Sequence, residues 1–251
     1  LSPPMKKLFA LAFSLVASLP QASGGTGVTT HSSGADLSDQ ASLQRGAALF
    51  MNYCMGCHSL KYLRYSRMAA DLGLTEEQVM GSMNFTGIKF GEAMTVALKP
   101  VDGEKWTGKA PPDLSLTARV RGSADWIYTY LKSFYRDPSR PLGWNNTLFP
   151  GASMPNVLWE LQGVQSAVFD APHGGQAGAA PVFSHFEQAE PGRLKAEEYD
   201  QVARDLSNFL QYAAEPAGLK RQQIGVWVLA FLAVLTLLTW LLKHEYWRDV
   251  H

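Results

Sequence analysis

Cys54-Met55-Gly56-Cys57-His58 is the stretch of this 251-residue chain that carries the most chemical information. Two thiols stand two residues apart, an imidazole follows at once, and the chain has no other cysteine. This spacing is typical of covalent haem attachment, in which each thiol adds to a haem vinyl group and the histidine meets the iron from the same turn of chain. We therefore predict one haem c, bound through Cys54 and Cys57, with His58 as an iron ligand.

Three other uses of the cysteine pair have weaker support. A thioredoxin-like pair should follow a strand and open a helix, whereas an apolar pattern of helical period precedes this one. A plain disulfide would close a very small loop and stabilise little. A structural zinc ion needs four ligands, so the pair would have to recruit two histidines at unusual spacings from His31, His58, His173 and His185.

The second axial position of the iron needs one more side chain. Met154 lies in Phe149-Pro150-Gly151-Ala152-Ser153-Met154-Pro155, a non-helical loop about 100 residues after the attachment site, which suits it to present one side chain across a ring. Met154 is therefore a candidate ligand. Four other methionines remain open on amphipathic segments, where methionine is more often core filler: Met68, Met80, Met83 and Met94.

The N-terminal end has the pattern of a secretory signal peptide. Met5-Lys6-Lys7 leads into an uncharged apolar run as far as Leu19, and Pro20 and small residues follow. We predict that residues 1–24 are this signal. Covalent haem attachment takes place outside the cytoplasm, so export agrees with the haem motif.

The C-terminal end has the pattern of a membrane anchor. Residues 224–242 carry no charge, and at about 1.5 Å per residue they extend about 28 Å, close to the hydrocarbon thickness of a bilayer. Basic residues flank this run in equal number, so the predicted export signal sets the orientation. We predict an exported domain at residues 25–218, an anchor at 219–243 and a cytoplasmic tail at 244–251.

Between the two ends, helical patterns alternate with loops rich in glycine and proline. Apolar residues recur at helical spacing over residues 42–53 and 196–214, and residues 125–135 form a third candidate helix. Residues 137–155 and 171–191 are read as irregular loops, and no strand hairpin has a strong signal. We predict an all-α fold with long loops and a single C-terminal transmembrane helix.

Charge and composition exclude some classes of protein. With 46% hydrophobic and 18% charged residues, the chain is too apolar to be mainly disordered. Its 22 basic and 22 acidic residues create no basic field, so we expect no nucleic-acid partner. Without the signal and everything after residue 218, 16 basic and 20 acidic residues remain, a net charge of −4. The acidic excess lies in residues 187–215, either as a solvated helix face or as a docking patch for a basic protein.

Four segments in order give the chain a family resemblance. They are LQRGAALFMNYCMGCHSLKYLRY at 43–65, APPDLSL at 110–116, FPGASMP at 149–155 and NFLQYAAEP at 208–216, ahead of the anchor. Together they resemble the cytochrome c1 family, the haem c subunit of the ubiquinol:cytochrome c oxidoreductase, or cytochrome bc1 complex. The resemblance covers nearly the whole mature chain, and this ordered combination is far more specific than the haem motif alone.

The resemblance implies a class I cytochrome c fold and roles for particular residues. The helix that carries Gly46 would cross the helix before the anchor, since a residue without a side chain permits close contact. Met154 would be the sixth iron ligand, Pro112 would line the haem pocket, and Arg121 would pair with a haem propionate. Trp126 stands where mitochondrial members have a tyrosine, and this departure is one sign of a bacterial type.

The resemblance also implies partners and a location. The chain would be a redox subunit of ubiquinol-cytochrome c reductase that does not oxidise quinol alone. It would take single electrons from the Rieske iron-sulfur protein and pass them to a cytochrome c. The anchor would lie in membrane lipid beside cytochrome b in a dimeric complex, in the bacterial cytoplasmic membrane, with the haem domain in the periplasm.

Two other functions remain open. One is another membrane-anchored monohaem c-type carrier that serves an oxidase or a reductase. The APPDLSL segment at 110–116, together with AAEP at 213–216, argues against it, because a generic anchored cytochrome has no reason to carry both. The other is a binding module without redox chemistry, held by zinc or a disulfide on a membrane stalk.

Overall fold

The computed structural model of the protein describes residues 29–170 and 181–249. The signal peptide predicted at residues 1–24, His173 and the last two residues of the predicted tail lie outside the described residues.

Helices make up about half of the described chain, and short antiparallel strand pairs connect some of them. The helices are α1 (Gln40–Tyr53), α2 (Tyr65–Leu72), α3 (Glu76–Ser82), α4 (Pro100–Thr107), α5 (Thr117–Val120), α6 (Ala124–Lys132), α7 (Trp159–Gln162), α8 (Ala196–Ala214) and α9 (Gly218–Tyr246). The strands pair as β1 (Leu60–Arg64) with β2 (Ala93–Met94), β3 (Phe134–Arg136) with β4 (Trp144–Asn146), and β5 (Gly163–Asp170) with β6 (Val182–Pro191).

The crossing of α1 and α8 forms the centre of the part of the chain that precedes α9. Asp39 caps α1 by accepting a hydrogen bond from the backbone N–H of Ser42 at 2.9 Å, as expected for an N-cap carboxylate. A Cβ added to Gly46 would lie 2.1 Å from the backbone oxygen of Asp205 on α8. The two helices can therefore approach this closely only because residue 46 has no side chain. This confirms the predicted close crossing at Gly46.

Helix α8 organises the core around this crossing. It also contacts α5, α6, α7 and β1, and its side chains Leu206 and Phe209 are fully buried. The Phe209 ring lies 5.7 Å from the ring of Phe50 on α1. The hydroxyl of Tyr199 donates to the backbone oxygen of Leu131 at 2.9 Å and so joins α8 to α6. One helix therefore holds together the segments on either side of the haem motif.

The predicted all-α fold is supported loosely, because three short strand pairs accompany the helices. The loop predicted for residues 171–191 is wrong where the structure describes it. Residues 182–191 form β6, which pairs with β5 from Asp170↔Val182 to Gly163↔Pro191. Most β6 side chains are exposed on both faces, so the alternating apolar pattern of a half-buried strand is missing. Two register shifts further disturb the alternation.

Two further departures are short. The third predicted helix ends at Lys132 as α6, and strand β3 takes over from Phe134. Within the loop predicted for residues 137–155, Trp144–Asn146 forms β4 against β3. The rest of that segment lies outside helices and strands, as expected.

Helix α9 has the properties of the predicted anchor. It extends over 29 residues, and its most apolar window has a mean hydropathy of 2.4, with none of that window buried against the protein. Trp227 and Trp240 are exposed near the two ends of the apolar run. A helix this long and apolar is long enough to cross a membrane.

Candidate haem site

The end of α1 gathers the two cysteines and His58 into one tight turn. The backbone N–H of Cys54 donates to Phe50 at 2.9 Å, and the backbone N–H groups of Cys57 and His58 both donate to the Cys54 oxygen, at 3.0 and 2.9 Å. The Cys54 side chain is buried, that of Cys57 is exposed, and the two thiols are not joined in a disulfide. Burial raises the pKa of Cys54 to about 12, and the charge of Cys57 adds to the rise.

The imidazole of His58 is buried and held in one orientation. Its Nδ1 lies 2.7 Å from the backbone oxygen of Pro112. A carbonyl oxygen only accepts hydrogen bonds, so Nδ1 carries the proton and Nε2 keeps its lone pair. Burial lowers the pKa of His58, although the bond to Pro112 and the charge of Asp113 oppose this. The ring is therefore neutral, as a metal ligand must be.

The APPDLSL segment is hydrogen-bonded to the residues that directly follow His58. The backbone N–H of Leu114 donates to the Ser59 oxygen at 2.9 Å, and the Asp113 carboxylate accepts the backbone N–H of Lys61 at 2.9 Å. These bonds fix the position of the neighbouring Pro112 carbonyl. The side chain of Pro112 is exposed, and the contact that the structure describes for this residue with His58 is made by its backbone.

Met154 lies half-buried in a braced loop. Its Sδ is 3.8 Å from the hydroxyl of Tyr130, which donates a hydrogen bond to it. Asn146 is fully buried and ties the loop to α6: its Nδ2 donates to the Tyr130 oxygen at 2.9 Å, while its Oδ1 accepts the backbone N–H of Leu148 and of Phe149 at 3.0 Å.

A second set of contacts braces the tip of this loop. The backbone N–H of Gly151 donates to Asn145 Oδ1 at 2.8 Å, and Arg140 Nη2 donates to the Gly151 oxygen at 3.0 Å. Gly151 has φ +79°, a conformation that favours glycine. The segment that carries Met154 is thus held by side chains from β4 and from the turn before it.

The other four methionines lie in different surroundings. Met68 and Met94 are fully buried in the core, and Met83 packs against it from the side. The sulfur of Met80 accepts a hydrogen bond from Asn84 at 3.3 Å. They fill the core or bond nearby side chains, as the sequence pattern indicates for methionine on amphipathic segments.

Arg121 lies in an aromatic environment beside the Met154 loop. Its guanidinium carbon is 4.5 Å from the centre of the Trp126 ring and 4.9 Å from that of Phe149. Trp126 stacks on Tyr130 at 5.0 Å. Burial raises the pKa of Tyr130 to about 12, with the charge of Arg121 opposing it, so the hydroxyl stays protonated. Among the described residues no ion pair involves Arg121.

The structure thus places the predicted site residues in two groups. In the first group, Pro112 contacts His58, which lies in the same turn as the two cysteines. In the second group, Arg121 lies over the rings of Trp126 and of Phe149, and Phe149 belongs to the Met154 loop. Sequence reasoning missed Tyr130, which bonds Met154, and Asn145 and Asn146, which brace the loop. The adjacent asparagines before a Pro-Gly loop were the available signal, because asparagine side chains often bond nearby backbone groups in turns.

The zinc alternative finds no support in the described residues. Across residues 29–170 and 181–249, no three or more histidine, cysteine or acidic side chains are placed to hold a metal ion. His185 is exposed, and its Nε2 lies 3.7 Å from a carboxylate oxygen of Glu187. His31 precedes α1, and its backbone N–H donates to Thr129.

The acidic segment 187–215 is partly neutralised by ion pairs. Asp205 pairs with Arg45, Asp200 with Lys132 and Arg204, and Glu215 with Arg221. Burial alone would raise the pKa of Asp200, but hydrogen bonds from Lys132, Tyr128 and Arg204 lower it to about 2. A docking patch would therefore depend mainly on the four remaining acids: Glu187, Glu190, Glu197 and Glu198.

Comparison with known proteins shows the family to which the chain belongs. Residues 30–95 and 102–250 match the model of the Cytochrome C1 family. The chain is 49% identical to cytochrome c1 of Allochromatium vinosum, a match that covers 98% of this chain and all of that protein. It is 40% identical to a protein of Nitrosomonas europaea named ammonia monooxygenase gamma subunit, over 97% of this chain and 98% of that protein. It is 31% identical to cytochrome c1 of Rhodospirillum rubrum, over 84% of this chain and 83% of that protein. The chain therefore belongs to the cytochrome c1 family, the haem-carrying electron-transfer subunit of the cytochrome bc1 complex.

Proposed function

We propose that this chain binds one haem c through thioether bonds from Cys54 and Cys57, with His58 and Met154 as the two axial iron ligands. The observation that carries this proposal is the 2.7 Å bond between His58 Nδ1 and the Pro112 oxygen. It leaves the unprotonated Nε2, on the other side of the ring from the Pro112 oxygen, available to a metal. The turn that holds His58 also holds both thiols, as covalent attachment requires.

The surroundings fit an apolar macrocycle with charged edges. Leu116, the N-cap residue of α5, is 39% exposed, and Val120, one turn later in α5, is 77% exposed. Phe149 in the Met154 loop is 39% exposed. A bound ring would cover such apolar surface. Arg121 has no carboxylate partner among the described residues, and its planar guanidinium is suited to a propionate.

The protein's own residues then set the conditions for electron transfer. When bound, the haem supplies one-electron redox chemistry. His58 and Met154 would together hold the iron and leave no site on it for dioxygen or peroxide, and methionine ligation would favour the reduced state relative to two histidines. Buried Asn146 holds the Met154 loop in place, which limits rearrangement between the two oxidation states.

We infer the position of the subunit in the complex from the family. The Rieske iron-sulfur protein would supply single electrons, and a cytochrome c would receive them. Helix α9 would lie in lipid beside cytochrome b of a dimeric complex. After removal of residues 1–24, residues 25–218 would face the periplasm, 219–243 would span the bacterial cytoplasmic membrane, and 244–251 would face the cytoplasm. The subunit alone would not oxidise quinol.

One relative supports a second candidate function. The protein of N. europaea, 40% identical over nearly the full chain, is named as a subunit of a monooxygenase. A membrane-anchored haem c carrier that serves another membrane enzyme would use the same attachment turn and the same anchor. The protein's physical partners distinguish this carrier from a subunit of the cytochrome bc1 complex.

Purification in mild detergent through a tag at the C-terminus tests the proposal. We expect a b-type cytochrome and a Rieske iron-sulfur protein to co-elute in stoichiometric amounts with the haem c band. A matched variant that ends at residue 218 and carries the same tag should keep its covalent haem, appear in the periplasm and lose both partners. Recovery of the full chain with monooxygenase or oxidase subunits instead would move the assignment to the second candidate.

A further inference from the structure

The Met154 side chain has a specific polar neighbour. The hydroxyl of Tyr130 donates a hydrogen bond to Met154 Sδ over 3.8 Å, a long contact to a large and weakly accepting sulfur atom. The two residues are 24 positions apart, so the contact results from the fold and not from local chain geometry.

The Tyr130 ring is held by aromatic neighbours on two sides. It stacks on Trp126 with centroids 5.0 Å apart and an interplanar angle of 11°. Phe134 meets it edge-on, at 4.9 Å and 70°. Offset stacking and edge-to-face contacts both favour a single ring orientation. The position of the hydroxyl is therefore fixed before any ligand binds.

The hydroxyl and the sulfur also share a structural support. Asn146 is fully buried, and it bonds the backbone oxygen of Tyr130 through one end of its amide and the start of the Met154 loop through the other. The same side chain thus sets the position of both partners in the O–H to S contact. A chance encounter of two mobile side chains would show no such shared support.

From these contacts we infer that Tyr130 is a positioning residue for the methionine ligand, an inference that rests on the proposed role of Met154. A thioether sulfur has two lone pairs, so one could bind the iron while the other accepts the hydrogen bond from the tyrosine hydroxyl. The hydrogen bond fixes the direction of the first lone pair. Since a thioether prefers ferrous to ferric iron, better alignment would stabilise both states but the ferrous state more, and so raise the midpoint potential.

The test compares two tyrosine variants on the same helix, in the full chain loaded with haem. Tyr130→Phe keeps the ring and removes the hydroxyl. Imidazole should then displace the methionine from the ferric protein at a concentration about three- to tenfold lower, the net worth of one hydrogen bond. The midpoint potential should fall. Tyr128→Phe is the matched control, because the Tyr128 hydroxyl bonds Asp200 and not the sulfur, and it should match the wild type in both measurements.

Two results overturn the inference, and they have different meanings. If Tyr130→Phe equals the wild type in imidazole affinity and in potential while Met154→Leu changes both, Tyr130 has no positioning role and the ligand assignment stands. If Met154→Leu also equals the wild type, Met154 is not a ligand, and the proposed iron coordination fails together with the inference.

Discussion

Replacing Met154 with leucine is expected to lower the midpoint potential of the haem on the order of 200 mV, within the roughly 0.8 V range over which axial ligands set haem potentials. Leucine has nearly the same volume but cannot donate to iron, so the preference of the thioether for ferrous iron is lost. The vacated axial position should also let the reduced protein bind carbon monoxide. A redox titration followed at the α-band and a carbon monoxide difference spectrum measure the two effects.

Met68→Leu is the matched control for this variant. Met68 is fully buried in the core, so the substitution makes the same chemical change away from the proposed ligand loop. Its cost in stability should be small, because the two side chains are close in volume. We expect a wild-type potential and no carbon monoxide binding. An unchanged spectrum and potential in Met154→Leu would assign the sixth position to another residue.

Among the substitutions proposed, Gly46→Ala should lower the free energy of unfolding the most. The added Cβ would lie 2.1 Å from the backbone oxygen of Asp205 and 2.7 Å from the Cβ of Phe209. Neither is the end of a flexible side chain, so α1 and α8 must move apart. Overpacking of this kind costs about 3 kcal/mol or more, because the crossing is the centre of the core. Thermal unfolding of the haem-loaded protein in detergent should show a melting temperature lower by about 10 °C.

Gly81→Ala separates this steric effect from the general effect of a glycine in a helix. Gly81 lies in α3, and nothing approaches within 4 Å of an added Cβ there. Since alanine favours helix by about 1 kcal/mol over glycine, this variant should melt at or slightly above the wild-type temperature. Equal melting temperatures for Gly46→Ala and the wild type would contradict the close crossing of α1 and α8.

The helices of the core were predictable because local signals agreed with the tertiary structure. Asp39 caps α1, Pro216 follows α8, and both helices carry apolar stripes that match their buried faces. The hairpin of β5 and β6 was not predictable in this way. Its second strand is exposed on both faces, so no burial pattern marks it, and the two register shifts disturb the period of two.

In the site, too, some features were predictable from the sequence and others were not. The spacing of Cys54, Cys57 and His58 predicts their shared turn because covalent attachment needs all three within a few residues. That Pro112 lines the haem pocket stays a prediction. The hydrogen bond between its backbone oxygen and His58 was not predictable, because a backbone contact leaves no mark on residue type. Tyr130 was missed because a tyrosine on a buried helix looks like core until the loop with Met154 folds beside it.

The most direct test of the haem proposal is the mass of one tryptic peptide. Trypsin cleaves after Arg45 and Lys61, so residues 46–61 form a single fragment that contains both cysteines and His58. From the exported protein, after denaturation and reduction, this fragment should have the mass of the peptide plus one haem, and neither thiol should be open to alkylation. The same fragment at its unmodified mass, with both thiols alkylated, would contradict covalent haem attachment at Cys54 and Cys57.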